Sequence, residues 1–119
     1  MAEADGLNLP ELHRYLRRVS DRWPVDRALL GGARIADVQG AGAQRERGPE
    51  YVVVLVSSHF DGIPWLERVY QAGSLWDGAE MGGPADIHCY TPAEYERKRA
   101  GLRVVRDAAE NGLDLLAGV

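Results

Sequence analysis

The chain has 119 residues, 45% apolar and 27% charged, which is one folded domain's worth and excludes a disordered chain. Eighteen acidic against 14 basic residues leave a formal charge of −4, so the domain-wide basic footprint of a non-specific duplex DNA binder is absent. No apolar run is long enough to span a bilayer, the N-terminus lacks a signal peptide's layout, and the single Cys89 excludes an internal disulfide or a cysteine-built zinc site, so a reducing cytoplasm is the expected setting.

One domain over residues 1–119 is expected, with residues 1–8 small, polar and frayed. Leu9, Leu12, Tyr15, Leu16 and Val19 recur at helical spacing, and Pro10 and Pro24 punctuate the two ends, which predicts a helix from Pro10 to Asp21. Ala33 to Val38 alternates loosely and reads as a strand, broken by Gly40-Ala41-Gly42 and followed by a charged loop up to Gly48-Pro49. Tyr51 to Val56 (YVVVLV) is a continuous β-branched run, the signature of a strand buried on both faces with helices over it. Ser57 to Pro64 is then a turn, Trp65 to Gly73 a short helix, Gly78 to Pro84 a glycine-rich loop and Ala85 to Tyr90 a second strand. Thr91-Pro92-Ala93-Glu94 has the form of a capping box that opens a helix running on to Asn111-Gly112, and Leu113 to Leu116 reads as a last short strand. Helices against a sheet predict an α/β or α+β layer fold.

Two acids stand at strand starts, Glu50 before YVVVLV and Asp86 in ADIHCY. Carboxylates that converge at one sheet end hold hard cations through oxygen, and with a nucleotide present such ions serve phosphoryl transfer. Because both stand at strand starts, Glu50 and Asp86 are expected to lie close together at one end of the sheet; the alternative is a pair of solvated strand-end acids.

The second half of the chain adds a family resemblance. Val56-Ser57, Phe60-Asp61-Gly62, Arg68, Trp76, Asp86, Cys89-Tyr90-Thr91-Pro92-Ala93-Glu94 and Gly112 follow one another in an order that resembles the minimal nucleotidyltransferases, over about Val25 to Leu116. The resemblance implies a small mixed sheet flanked by helices, magnesium and a nucleoside triphosphate as cofactors, and Asp86 as the third, catalytic and metal-binding acid. It places the Asp-x-Asp pair of that family on Glu50-Tyr51-Val52, so Glu50 stands as a metal ligand and Val52 cannot coordinate a cation. The family's phosphate-holding Gly-Ser turn falls on Gly40-Ala41 with a shortened loop, or on Gly31-Gly32 with a lengthened one, and neither has the serine. Asp37 is the residue available to substitute for the missing acid. These departures imply a domain of this type that catalyses weakly or not at all, and that works as a nucleotide- or partner-binding protein. The small proteins it resembles are often antitoxin-like partners of helical HEPN proteins. The alternative is an active metal-dependent enzyme that transfers NMP from NTP to a protein or small-molecule acceptor.

The remaining chemistry-bearing residues divide as follows. His88 shares a strand face with Asp86 by alternation, which makes it a stronger candidate than His59 beside its turn. Cys89 reads as a packing residue. Trp65, Tyr70 and Trp76 suit core or interface packing, and Arg97, Lys98, Arg99, Arg103 and Arg106 form a basic helix face suited to an acidic partner. VVVLVSSHFDGIPWLERVY and TPAEYE also resemble the BolA family, which binds iron–sulfur partners through a histidine after the arginine. Here Val69 follows Arg68, so that ligand is missing.

Overall fold

A computed structural model of the chain describes residues 7–38 and 49–117. The first helix, α1 (Leu9–Arg22), is opened by Asn8, whose side chain accepts the Glu11 amide, while Pro10 sits in the first turn, where a missing N–H costs nothing. Leu12, Tyr15, Leu16 and Val19 form its buried stripe. Leu7 is also in the core and Asn8 donates to the Glu80 carbonyl, so these two residues, expected to fray, are anchored.

The next element is a strand that local pattern did not reveal, β1 (Arg27–Gly31), followed by a short helix, α2 (Ala33–Val38), over the segment expected to be a strand. The Ala36 amide donates to the Gly32 carbonyl at 3.1 Å, the i to i−4 bond of a helix, and Ile35 and Ala36 are both buried. Gly32 makes the switch: its φ of 105° is open to glycine, and a Cβ there would lie 2.7–2.9 Å from the backbone of Glu50, Tyr51 and Val52.

Strand β2 (Tyr51–Val56) is where YVVVLV places it, buried at all six positions. A 3-10 turn at Ser58–Phe60 leads to α3 (Trp65–Gly73). The glycine-rich stretch holds one more short helix, α4 (Gly78–Met81), capped by the Asp77 side chain and closed by Gly82 in the left-handed region. Strand β3 (Ala85–Tyr90) and the Thr91/Glu94 capping box match expectation. The helix beyond is broken at Leu102, whose backbone is extended, into α5 (Pro92–Gly101) and α6 (Arg103–Asn111). A two-residue strand, β4 (Leu113–Asp114), ends the sheet.

The sheet order is β3-β2-β1-β4, with β2 parallel to β3 and the other pairs antiparallel. Odd positions of β2 (Tyr51, Val53, Leu55) enter the larger core with α1, Phe60, Ala72, Met81, Ile87 and Cys89. Even positions (Val52, Val54, Val56) join Leu29 and Tyr90 under Tyr95, Val105 and Ala108 of α5 and α6. The chain is therefore a mixed α+β layer fold with helices on both faces of a four-stranded sheet.

A buried arginine joins the pieces at one end. Arg68 of α3, 6% exposed, donates to the carbonyls of Ile63 and Cys89 and to Glu94 Oε1 at 2.7 Å, and its guanidinium stands over the Phe60 ring. Glu94 also accepts the Thr91 amide of the capping box. The hydrogen bond from Arg68, against a smaller opposing effect of burial, holds the Glu94 carboxyl below its ordinary range.

Two expectations follow from this architecture. Gly32→Ala forces a Cβ into the start of β2 and should cost about 3 kcal/mol, read as a lower urea midpoint; a loss under about 1 kcal/mol would show that the turn re-forms another way. Because the folded carboxyl of Glu94 has the lower pKa, its stabilisation is complete above its ordinary value and fades as pH falls through the folded one. Glu94→Gln should therefore lower stability by about 1–3 kcal/mol at pH 7 and by much less at pH 3, in paired thermal melts. An equal loss at both pH values would remove the ion pair from the account.

Candidate functional site

The parallel register of β2 and β3 sets Tyr51 beside Ala85 and Val52 beside Asp86. Glu50, one residue before β2, and Asp86 accordingly belong to the same end of the sheet. Registered neighbours in a parallel pair share a face, so the position next to Asp86 on the adjoining strand is held by Val52, which is 3% exposed and part of the α5/α6 core.

Each of the two acids already has a basic or donor side chain from this protein. Glu50 Oε1 accepts from Arg34 Nε at 3.1 Å, and Arg34 Nη2 stands at an ion-pair distance of 3.1 Å from the same oxygen. Arg34 also donates to the Tyr51 hydroxyl oxygen at 3.2 Å and to the Gly82 carbonyl at 2.8 Å, and the Tyr51 hydroxyl in turn donates to the Met81 carbonyl at 2.7 Å. Asp86 Oδ2 lies 3.1 Å from His88 Nε2, and His88 Nδ1 lies 2.9 Å from the Tyr90 hydroxyl. A Tyr90 hydroxyl donating to Nδ1 leaves the proton of a neutral imidazole on Nε2, where it is donated to Asp86. Trp65 stacks on Tyr90 with ring centres 5.1 Å apart. Burial pushes the Tyr90 hydroxyl up to about 12, with the charge of Asp86 adding to the rise, so it keeps its proton at neutral pH. Alternation along the strand made this Asp86–His88 proximity legible; the Tyr90 and Trp65 contacts and the Arg34–Glu50 pair were not foreseen.

The first residues of α2 bear on what the Gly31-Gly32 placement can offer. The Ala33 amide donates to the Pro49 carbonyl and the Arg34 amide to the Glu50 carbonyl, both at 2.9 Å. Those two amides are closed to a phosphate. Gly40 and Ala41, the other candidate turn, lie outside the described residues. Asp37, the possible substitute acid, is on α2, not on the preceding strand as expected; its side chain lies outside the description.

This residue set does not fit a two-ion site. Val52 has no lone pair to offer, Glu50 is engaged by Arg34, and among the described residues no group of three His, Cys, Asp or Glu side chains could hold a metal ion. Other candidates take structural places. His59 is exposed beside its turn. Cys89 is buried, with its thiol pushed up to about 12 by desolvation, which makes it an inert packing residue. Trp76, partly buried, packs against Tyr15 and Tyr51 and donates to the Gly83 carbonyl, so it is held against the core. Val69 after Arg68 packs against the larger core and supplies no iron–sulfur ligand. On the basic face, Arg99 pairs with Glu96 in the same helix.

No family model and no curated protein matches the chain. No helix among the described residues is long and apolar enough to cross a membrane. Among solved structures, the fold is similar to that of a "putative nucleotidyltransferase" from Sulfolobus solfataricus, with a TM-score of 0.54, 11% identity, and coverage of 89% of this chain and 77% of that one. At that identity the likeness concerns the fold: a four-stranded mixed sheet flanked by helices, of nucleotidyltransferase-like form.

Proposed function

We propose that this chain is a nucleotidyltransferase-like domain whose transfer chemistry is weak or lost, and which works as a binding protein in the manner of the antitoxin-type partners of helical HEPN proteins. The observation that carries this reading is the pairing of Val52 with Asp86. The family resemblance puts a metal carboxylate where Val52 stands, and the register sets that position directly beside the one clean family acid. In-line phosphoryl transfer depends on positioning and charge neutralisation, so loss of an ion ligand removes most of what the fold contributes. The closed amides of Ala33 and Arg34 support the same reading, because they take backbone donors away from a triphosphate. For the binding role, α3 displays Leu66 and Tyr70 at one face of the helix, 77% and 76% exposed. Large exposed apolar side chains at i and i+4 suit a groove on a helical partner.

The test is calorimetry with Mg·ATP on the unmodified protein and on Asp86→Asn, alongside incorporation of labelled AMP into a candidate partner. The expected result is the same flat isotherm for both proteins and incorporation at background. Magnesium-dependent AMP transfer by the unmodified chain, abolished in Asp86→Asn, would establish the active enzyme instead.

A further inference from the structure

We infer that Arg34 is a built-in counter-cation for Glu50, and that with the Gly82-Gly83 turn as its cover it closes that side of the sheet end to a divalent ion. The inference rests on the nucleotidyltransferase-like reading of Glu50 and Val52 and goes past it: Val52 accounts for one missing ligand, whereas Arg34 would keep the site shut even with that ligand restored.

The guanidinium is held on several sides. Two of its nitrogens meet Glu50 Oε1, a third donates to the Tyr51 hydroxyl, Nη2 reaches the Gly82 carbonyl, and the group stands 5.2 Å from the centre of the Tyr51 ring. A guanidinium stays protonated at any physiological pH, so the positive charge beside Glu50 is permanent. Its partners are themselves fixed. Tyr51 is tied to the Met81 carbonyl, and the Gly83 carbonyl accepts from Trp76 Nε1 at 3.0 Å. The turn lies directly on the ion pair: a Cβ on Gly82 would sit 3.2 Å from Arg34 Nη1, and one on Gly83 3.4 Å from Glu50 Cγ. The φ of 81° at Gly82 also favours glycine there. A divalent ion approaching Glu50 would meet a permanent like charge at 3.1 Å from Oε1 and would compete with it for that oxygen.

The experiment is Mn²⁺ titration without nucleotide, read as free Mn²⁺ by electron paramagnetic resonance, on Val52→Asp, Arg34→Gln/Val52→Asp and Arg34→Lys/Val52→Asp. Val52→Asp alone should bind no better than the unmodified chain. The Gln double variant should gain at least tenfold in affinity, and the Lys double variant, which keeps a positive charge, should not. Binding by Val52→Asp equal to that of the Gln double variant overturns the inference, as does a folded Gln double variant with no gain. The unmodified protein supplies a measurement independent of variant folding: Mn²⁺ should leave the Gly82 and Gly83 amide resonances as sharp as those of the opposite sheet end, and selective broadening there overturns the inference. AMP transfer by the unmodified chain would sink the functional reading, whereas Mn²⁺ binding by Val52→Asp alone would sink only the closure by Arg34.

Discussion

The burial of β2 on both faces is the constraint on which the rest of this protein depends. Six consecutive apolar residues, none more than 3% exposed, demand a strand on each side for their backbone groups and a helical layer on each face. Strand β1 supplies one neighbour by antiparallel pairing. Parallel β3 supplies the other, and a parallel partner requires a crossover, which α3 and α4 provide. The odd side of β2 then receives α1 and the crossover, and the even side receives α5 and α6. The break at Leu102 lets two short helices cover that even side in place of one long one.

The same constraint shapes the chemistry of the sheet end. With Val52 committed to the even-side core, an aspartate there would be a carboxylate in an apolar cluster with Val54, Leu29 and Val105, beside the like charge of Asp86 on the adjoining strand. The two acids that remain are each met from within the protein, Glu50 by Arg34 and Asp86 by His88.

Edge strand β3 is managed by the crossover. Helix α3 packs along it, and Arg68 takes the Cys89 carbonyl while pairing with Glu94 at the start of α5. One buried guanidinium thus ties the turn before α3, the end of β3 and the α5 cap together. The cost of that cover is an outer helix face bearing Leu66 and Tyr70, which the protein's own core does not reach.

Features written in short sequence stretches were legible in the sequence: α1 from its helical stripe, β2 from its unbroken β-branched run, and the Thr91/Glu94 capping box. The β1 strand was not legible, because Arg27–Gly31 is short and takes its strand character from pairing with β2 and β4. The segment Ala33–Val38 alternates only loosely, and the left-handed Gly32, packed on the β2 backbone, turned it into a helix. In the site, the sequence alone established the types of residue and the shared face of Asp86 and His88. Which acid meets which base depends on register and on turns distant in sequence: Arg34 reaches Glu50 across 16 residues and the Gly82 carbonyl across 48, distances over which no local pattern carries information.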